Sequence, residues 1–278
     1  LINENIIYFC IFSSIFLFIV SNMLITIITC VRNSEKWIDY IDEKFREVEE
    51  YYKYKIDFEY FIYENNSTDN TKESIKKFFT NREGKYLCED IHNNNMHEGI
   101  NVERGNHMTL LRNKTKKFHG VLDSDYVMII DSDVVFKKTL IEEFISTITN
   151  DIAMITPYCM CYDNYSLGNG IHYYDSLAVI SNDNISYKDT GNTCLFKSCK
   201  RCCNHRKLEE ININNKYLFN DDEIISVKSA FGSCAFIKTD IYNKVWWGNS
   251  ICEHHSFCKE VLKFGKVVIN PMIKTVTT

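Results

Sequence analysis

The sequence predicts an α/β protein in which one domain carries a mixed, mostly parallel sheet flanked by helices. Three observations predict it. Apolar runs of strand length recur along the chain, at Leu24–Cys30, Phe58–Tyr63 and Tyr126–Phe136. The first two are each followed by a segment whose apolar residues fall at helical spacing. The connections are short, and strand–helix alternation of that kind is the signature of right-handed crossovers between parallel strands. The 278 residues, 45% hydrophobic and 14% aromatic, are ample for such a core. A formal net charge of −5 leaves no general basic field to draw in nucleic acid.

Residues 1–22 form an apolar leader ahead of the domain at 23–278. The run Ile6–Val20 is about fifteen residues, short of the roughly twenty a full span needs. It reads as a signal h-region or a signal anchor, with a buried first helix as the alternative. The anchor reading makes the membrane a partner, gives a single-pass type II protein and places the domain in a lumenal, Golgi- or ER-like, or virus-associated compartment. Twelve cysteines point the same way, toward an oxidising lumen. The densest group, Cys194, Cys199, Cys202 and Cys203 with His205, reads as loop disulfides rather than zinc, because the second half of a zinc module is missing.

After the strand Leu24–Cys30, Asn33 or Ser34 can cap a helix carrying Trp37, Ile38, Ile41, Phe45 and Val48. The strand Phe58–Tyr63 ends in Glu64 to Thr71, where Thr68 or Asp69 can cap a helix with Ile75, Phe78 and Phe79. Lys85–Ile91 is a third strand. A longer helix runs from about Val102 to Leu122 with Met108, Leu111, Phe118, Val121 and Leu122 on its apolar side. The strand from Tyr126 follows it, then a helix from Leu140 and a strand Ile152–Thr156. Between Pro157 and about Asn220 the pattern dissolves into an irregular insertion, which fits an acceptor-binding side. Order returns at Ile224–Val227 and Ser229–Ile237, then a helix after Cys252 and a last strand, Val267–Ile269.

The strand Tyr126–Phe136 carries two carboxylates, Asp131 and Asp133. In an open α/β sheet the crevice beyond the carboxyl ends of the strands binds ligands. If the chain turns there, both can bracket one hard cation, and oxygen ligands suit Mg²⁺ or Mn²⁺. Such a cation takes its remaining ligands from water and substrate phosphates, which suggests a metal–diphosphate site.

Four segments in order, Thr29-Cys30-Val31-Arg32-Asn33, Tyr63 to Thr71, Leu111-Arg112-Asn113 and Asp131-Ser132-Asp133, resemble those of a GT-A (nucleotide-diphospho-sugar transferase) glycosyltransferase with its Rossmann-like sheet. The wording is most similar to the fungal capsule-type α-1,3-mannosyltransferases, and the resemblance runs from about Leu24 to Pro271. It implies a nucleotide-sugar donor, a glycan or glycoprotein acceptor and Mn²⁺ or Mg²⁺. It implies that Thr29 and Arg32 line the nucleotide pocket, and that Glu64 and Asp69 contact base or ribose. Arg112 faces the diphosphate or braces the aspartates. Asp133 holds the cation, with Asp131 near the ribose or the metal. Phe231-Gly232-Ser233-Cys234-Ala235 matches the family's segment beneath the donor sugar, making Gly232 and Ser233 donor-binding. Glu253 is the late acidic residue, a general base in inverting members and an orienting group in retaining ones. Many relatives supply a metal-ligand histidine near the C-terminus. None follows His255 here, so His255, His254 or water takes that place.

A haloacid-dehalogenase-type phosphatase also runs a strand into Asp-x-Asp-x-Val, with Asp131 as nucleophile, Asp133 as acid–base and Asp221-Asp222 for Mg²⁺. That motif belongs to the first strand of its domain, and three precede it here. A non-catalytic lumenal binding protein with a degenerate transferase fold would have lost Asp131, Asp133 or Arg112. All three are present.

Overall fold

The computed structural model describes residues 22–91, 102–163, 170–186 and 222–277. The apolar leader, the Cys194–Cys203 group and Asp221 lie outside the described residues. Among the described residues no helix is long and apolar enough to cross a membrane. Cys30, Cys88, Cys159, Cys234, Cys252 and Cys258 are thiols.

The apolar runs are strands, and they pair in parallel. The first half of the chain alternates β1 (Met23–Val31), α1 (Glu35–Tyr52), β2 (Ile56–Asn65), α2 (Thr71–Phe78), β3 (Gly84–Glu89), α3 (Val102–His119) and β4 (Tyr126–Ile130). The second half comprises β5 (Val134–Val135), α4 (Leu140–Thr147), β6 (Ile152–Asp163), β7 (Gly170–Tyr173), β8 (Ile180–Ser181), β9 (Ile225–Ser229), β10 (Cys234–Lys238), α5 (Thr239–Tyr242), α6 (Glu253–Val261) and β11 (Lys266–Thr277). The main sheet order is β3-β2-β1-β4-β10-β6-β11-β9-β8. The β3-β2-β1-β4 pairs are parallel, as is β6 with β11, while β10 runs antiparallel to both β4 and β6.

Side chains alternate faces along each strand, so the two sides of the sheet carry separate cores. On β4, Met128 and Ile130 pack with Ile38, Ile41 and Phe45 of α1, Ile75 of α2 and Phe144 of α4. Val127 and Ile129 face the opposite way, with Tyr242, Trp247, Phe257 and Val261. The result is a sheet between two helical layers, the architecture predicted from the strand–helix alternation.

Three departures from the sequence expectations have physical causes. Of the expected apolar set on α3 and the residues after it, Leu111 and Leu122 are buried and Phe118 packs against the core, but polar residues share the buried face. Arg112, Thr115, Lys116 and His119 are buried, whereas Val121 is 87% exposed and lies past the helix end. Each of these side chains has at least one partner, such as the Tyr242 and Val245 carbonyls that take the Lys116 ammonium, while two Arg112 nitrogens have none. Secondly, Pro157 does not end its strand. It sits where β6 has left β10, whose pairing stops at Ile155, and has not reached β7, whose pairing starts at Met160. A proline is tolerated where no ladder needs its N–H. The start of the expected irregular insertion is therefore ordered sheet. Thirdly, β11 continues past Ile269 to Thr277 through a register shift between Asn270 and Lys274, which absorbs Pro271.

Candidate functional site

Strand order sets the position of the site. From β1 the chain crosses to β2 and β3 on one side, then returns to place β4 on the other. The crevice at that reversal, beyond the carboxyl ends of β1 and β4, is where such sheets bind ligands. Arg32 leaves β1 there, and Asp131 leaves β4.

The two loops on the β1–β2 side lock together. Ser67 Oγ accepts the Asn33 N–H at 2.9 Å, and Asn33 Oδ1 accepts the Thr68 N–H at 2.8 Å. Thr71 Oγ1 accepts the Ser34 N–H at 2.7 Å. The Asp69 carboxylate takes the Glu35 N–H at 3.2 Å with one oxygen and the Thr71 N–H at 3.1 Å with the other. It thus caps the starts of both α1 and α2, and these bonds hold its carboxyl below the usual range although burial opposes them. Glu64, fully buried, accepts the Ser67 N–H at 2.7 Å, with the Lys72 ammonium at 3.9 Å. Asn66 reaches across to β3 through paired bonds with the backbone of Ile91, at 3.0 and 3.1 Å. The Glu64–Thr71 segment is therefore largely a scaffold for the crevice wall. Of the two pocket residues expected at β1, Arg32, half-buried, donates to the Asn66 carbonyl at 3.4 Å, while the Thr29 hydroxyl is buried with no hydrogen-bond partner on the strand face that carries Ile25, Ile27 and Val31.

Arg112 organises the centre. Its side chain is 4% exposed; Nη2 donates to Asp131 Oδ1 at 3.2 Å, and Nε lies 3.8 Å from Glu253 Oε1. Its Nη1 has no hydrogen-bond partner. Burial works against the guanidinium's charge, but Asp131 and Glu253 outweigh it and raise its proton affinity. Asp133 Oδ2 accepts the Thr277 hydroxyl at 3.1 Å, so the end of β11 closes over the aspartate pair. Buried Ser132 bonds the Ser34 hydroxyl at 3.1 Å and ties this turn to the start of α1. Burial and the neighbouring Asp133 charge push the Asp131 carboxyl upward, against the pull of Arg112.

The turn between β9 and β10 forms the floor. Gly232 and Ser233 both have left-handed backbone, φ 63° and 59°, and the Cys234 N–H donates to the Phe231 carbonyl at 3.3 Å to close a tight turn between strands that are not themselves paired. A Cβ on Gly232 would lie 2.9 Å from the Pro157 carbonyl oxygen. The Ser233 carbonyl accepts the Asp131 N–H at 2.9 Å, and the Gly232 N–H donates to Asp175 Oδ2 at 3.1 Å. The Phe231 ring stacks on His254, with centroids 3.8 Å apart and planes within 10°; the Arg112 guanidinium carbon stands 4.9 Å from the Phe231 ring centre. His254 Nε2 lies 3.2 Å from Glu253 Oε1. Burial alone would raise the Glu253 carboxyl, yet His254 and Arg112 hold it far below the usual range.

The donor set fits a hard divalent cation. Asp131 and Asp133 each commit one oxygen to Arg112 or Thr277, leaving the second, and their mutual repulsion is what a cation would relieve. His255 points elsewhere, its Nε2 bonding the Leu177 carbonyl at 2.8 Å. Among the described residues no group of three His, Cys, Asp or Glu side chains is set to hold a metal ion. Two aspartates plus diphosphate and water would be the shell. The crevice thus joins Arg32, Arg112, Asp131, Asp133, Gly232, Ser233 and Glu253. Asp69 stays in the loop scaffold, and His255 faces the 176–178 turn. Sequence reasoning missed Asp175 and Thr277, which sit in segments without a periodic pattern or a motif.

A family model described as Glycosyl transferase family 2 matches residues 26–246. Among solved structures, the mannosyltransferase PcManGT from Pyrobaculum calidifontis, in complex with GDP-Man and Mn²⁺, is similar at TM-score 0.51 and 10% identity, over 92% of this chain and 57% of that one. S. aureus TarS is similar at TM-score 0.50 and 13% identity, over 92% of this chain and 37% of that one. At these identities the likeness is one of fold. This chain spans little more than half the length of PcManGT, at 57%. No curated protein matches. The GT-A fold is as expected, and the family match does not single out the fungal capsule-type group.

Proposed function

The chain belongs to glycosyl transferase family 2, and from that premise we propose that it moves a sugar from a nucleotide-sugar donor to a hydroxyl of a glycan or glycoprotein. The observation that carries the reading is the meeting of the Asp131–Asp133 pair, the buried Arg112 guanidinium and the left-handed Gly232–Ser233 turn at one point of the sheet. Mannose from GDP-mannose is the leading donor. The four motif segments support it, and PcManGT is described with GDP-Man and Mn²⁺. A domain anchored through residues 1–22, in a lumenal or virus-associated compartment, completes the proposal.

Asp131 and Asp133 would hold Mn²⁺ or Mg²⁺, which when bound neutralises the charge that develops on the diphosphate leaving group. Arg112, bonded to Asp131 and beside Glu253, would brace the carboxylates next to that diphosphate. The sugar rests on the Gly232–Ser233 turn, where glycine lets the backbone come close. Glu253, pinned as a carboxylate, is a weak proton acceptor by itself. Held with its Oε1 3.2 Å from His254 Nε2, it suits the orienting role that retaining members give this carboxylate. Family membership sets the phosphatase alternative aside, since it explains both the preceding strands and the Glu64–Thr71 segment.

The test is Asp133→Ala. The substitution removes the acceptor of the buried Thr277 hydroxyl and is expected to cost about 1–3 kcal/mol of stability. Transfer of labelled sugar should vanish while circular dichroism stays unchanged. Full transfer by the variant would sink the aspartate assignment.

A further inference from the structure

Asp175 does more than its one hydrogen bond requires. It follows β7 and begins the short 3-10 turn Ser176–Ala178. Its Oδ2 accepts the Gly232 N–H, and so it holds the turn that positions Phe231 beneath Arg112 and the Ser233 carbonyl against Asp131. Among the described residues Oδ1 accepts no hydrogen bond. The carboxylate is half-buried near two others, Glu253 and Asp131, with His254 the opposing charge. A carboxylate kept in like-charged company is costly unless something donates to it. Holding one backbone N–H needs only an amide oxygen.

We infer that Asp175 recognises the donor sugar: Oδ1 accepts a sugar hydroxyl over the Gly232–Ser233 turn, while Oδ2 keeps that turn in place. This rests on the glycosyltransferase reading. An ionised carboxylate is acceptor-only, so it selects a hydroxyl donor and discriminates against a sugar lacking it. The residue lies between β7 and β8, outside every motif.

Asp175→Asn separates the two roles. Its amide oxygen can still accept the Gly232 N–H, but an NH₂ replaces the free acceptor. Binding of GDP, UDP, GDP-mannose and UDP-N-acetylglucosamine to the full chain with Mn²⁺ is measured by calorimetry for both proteins. The expected result is about a tenfold or greater loss of affinity for the bound nucleotide-sugar, the nucleoside diphosphate being unaffected within about twofold. Deoxy analogues of that sugar nucleotide add a second readout: the one missing the recognised hydroxyl binds wild type poorly and no longer differs from its parent in Asp175→Asn. Equal losses for diphosphate and sugar nucleotide, or no loss for either, would overturn the inference. Binding of no nucleotide by the wild type would bring down the glycosyltransferase reading itself. Should Asp175→Asn not fold, the deoxy analogues are titrated against wild type alone, and equal binding by every deoxy analogue and its parent would overturn the inference.

Discussion

Replacing Arg112 with methionine removes the cation around which the site is arranged and keeps most of its volume. The guanidinium is 4% exposed, Glu253 7% and Asp131 31%. Breaking a buried ion pair by deleting one partner costs about 3–5 kcal/mol, because the other charge stays buried without compensation. Asp131 is open enough for water to screen it, and Arg112 reaches Glu253 only at 3.8 Å, so the lower end, about 3 kcal/mol, is the expected loss at neutral pH. For a domain of this size that lowers the melting temperature by about 6–12 °C. The loss should depend on pH with a definite sign. In the wild type the Glu253 carboxyl is depressed, so its contribution is present above the ordinary carboxyl pKa and disappears as pH falls through the folded value. The variant lacks the Arg112 share of that contribution, the smaller beside that of His254, so the two proteins should differ most above about pH 5 and draw together only as pH falls well below the ordinary carboxyl range. Urea titrations of both proteins across that range measure it. A loss below about 1 kcal/mol at neutral pH, or a loss independent of pH, would refute the view that Arg112 neutralises the two carboxylates.

Two further outcomes test the frame around the site. Gly232→Ala should lose about 2–3 kcal/mol, since left-handed backbone costs about 1–2 kcal/mol with a side chain present and the new Cβ would also press on the Pro157 carbonyl. An unchanged urea midpoint would contradict the turn geometry. His119, buried against the Tyr242 hydroxyl, is pushed by burial down to about 4 from 6.5. Its folded pKa lies below the unfolded one, so this contribution is fully present above about pH 6.5 and is lost by about pH 4, up to about 3 kcal/mol. His119→Gln should flatten stability across that window, and an undiminished slope would speak against a neutral, buried ring.

β1, β2 and β4 were legible because each is a continuous apolar run, and Asp131 and Asp133 were legible because such a run ends in them, whereas β7, β8 and the end of β6 lie in the stretch expected to be irregular. Helix α3 was legible with Leu111, Phe118 and, past its end, Leu122 on the inner side, but the polar share of its buried face was not. Lys116 and His119 are matched by carbonyls and a hydroxyl from residues more than a hundred positions away, or from the helix end, and no periodicity registers that. Asp69 was legible as a capping residue. That it caps α1 as well as α2 follows only once β1 and β2 are neighbours. Pro157 reads as a strand breaker until the gap between its two antiparallel neighbours is seen. Asp175 and Thr277 left no signal, because their roles come from where β7 and β11 end rather than from the residues beside them.

The donor site is tested most directly by thermal melting of the full chain with GDP or UDP, each with and without Mn²⁺. A ligand at a hundredfold excess over its dissociation constant stabilises the native state by about 2.7 kcal/mol, which is about 5–10 °C here. A shift with one of the two nucleotides that needs Mn²⁺, and that vanishes in Asp133→Ala, is the predicted result. No shift with either nucleotide, or one that persists without both the metal and Asp133, would contradict a metal–diphosphate site at the end of β4.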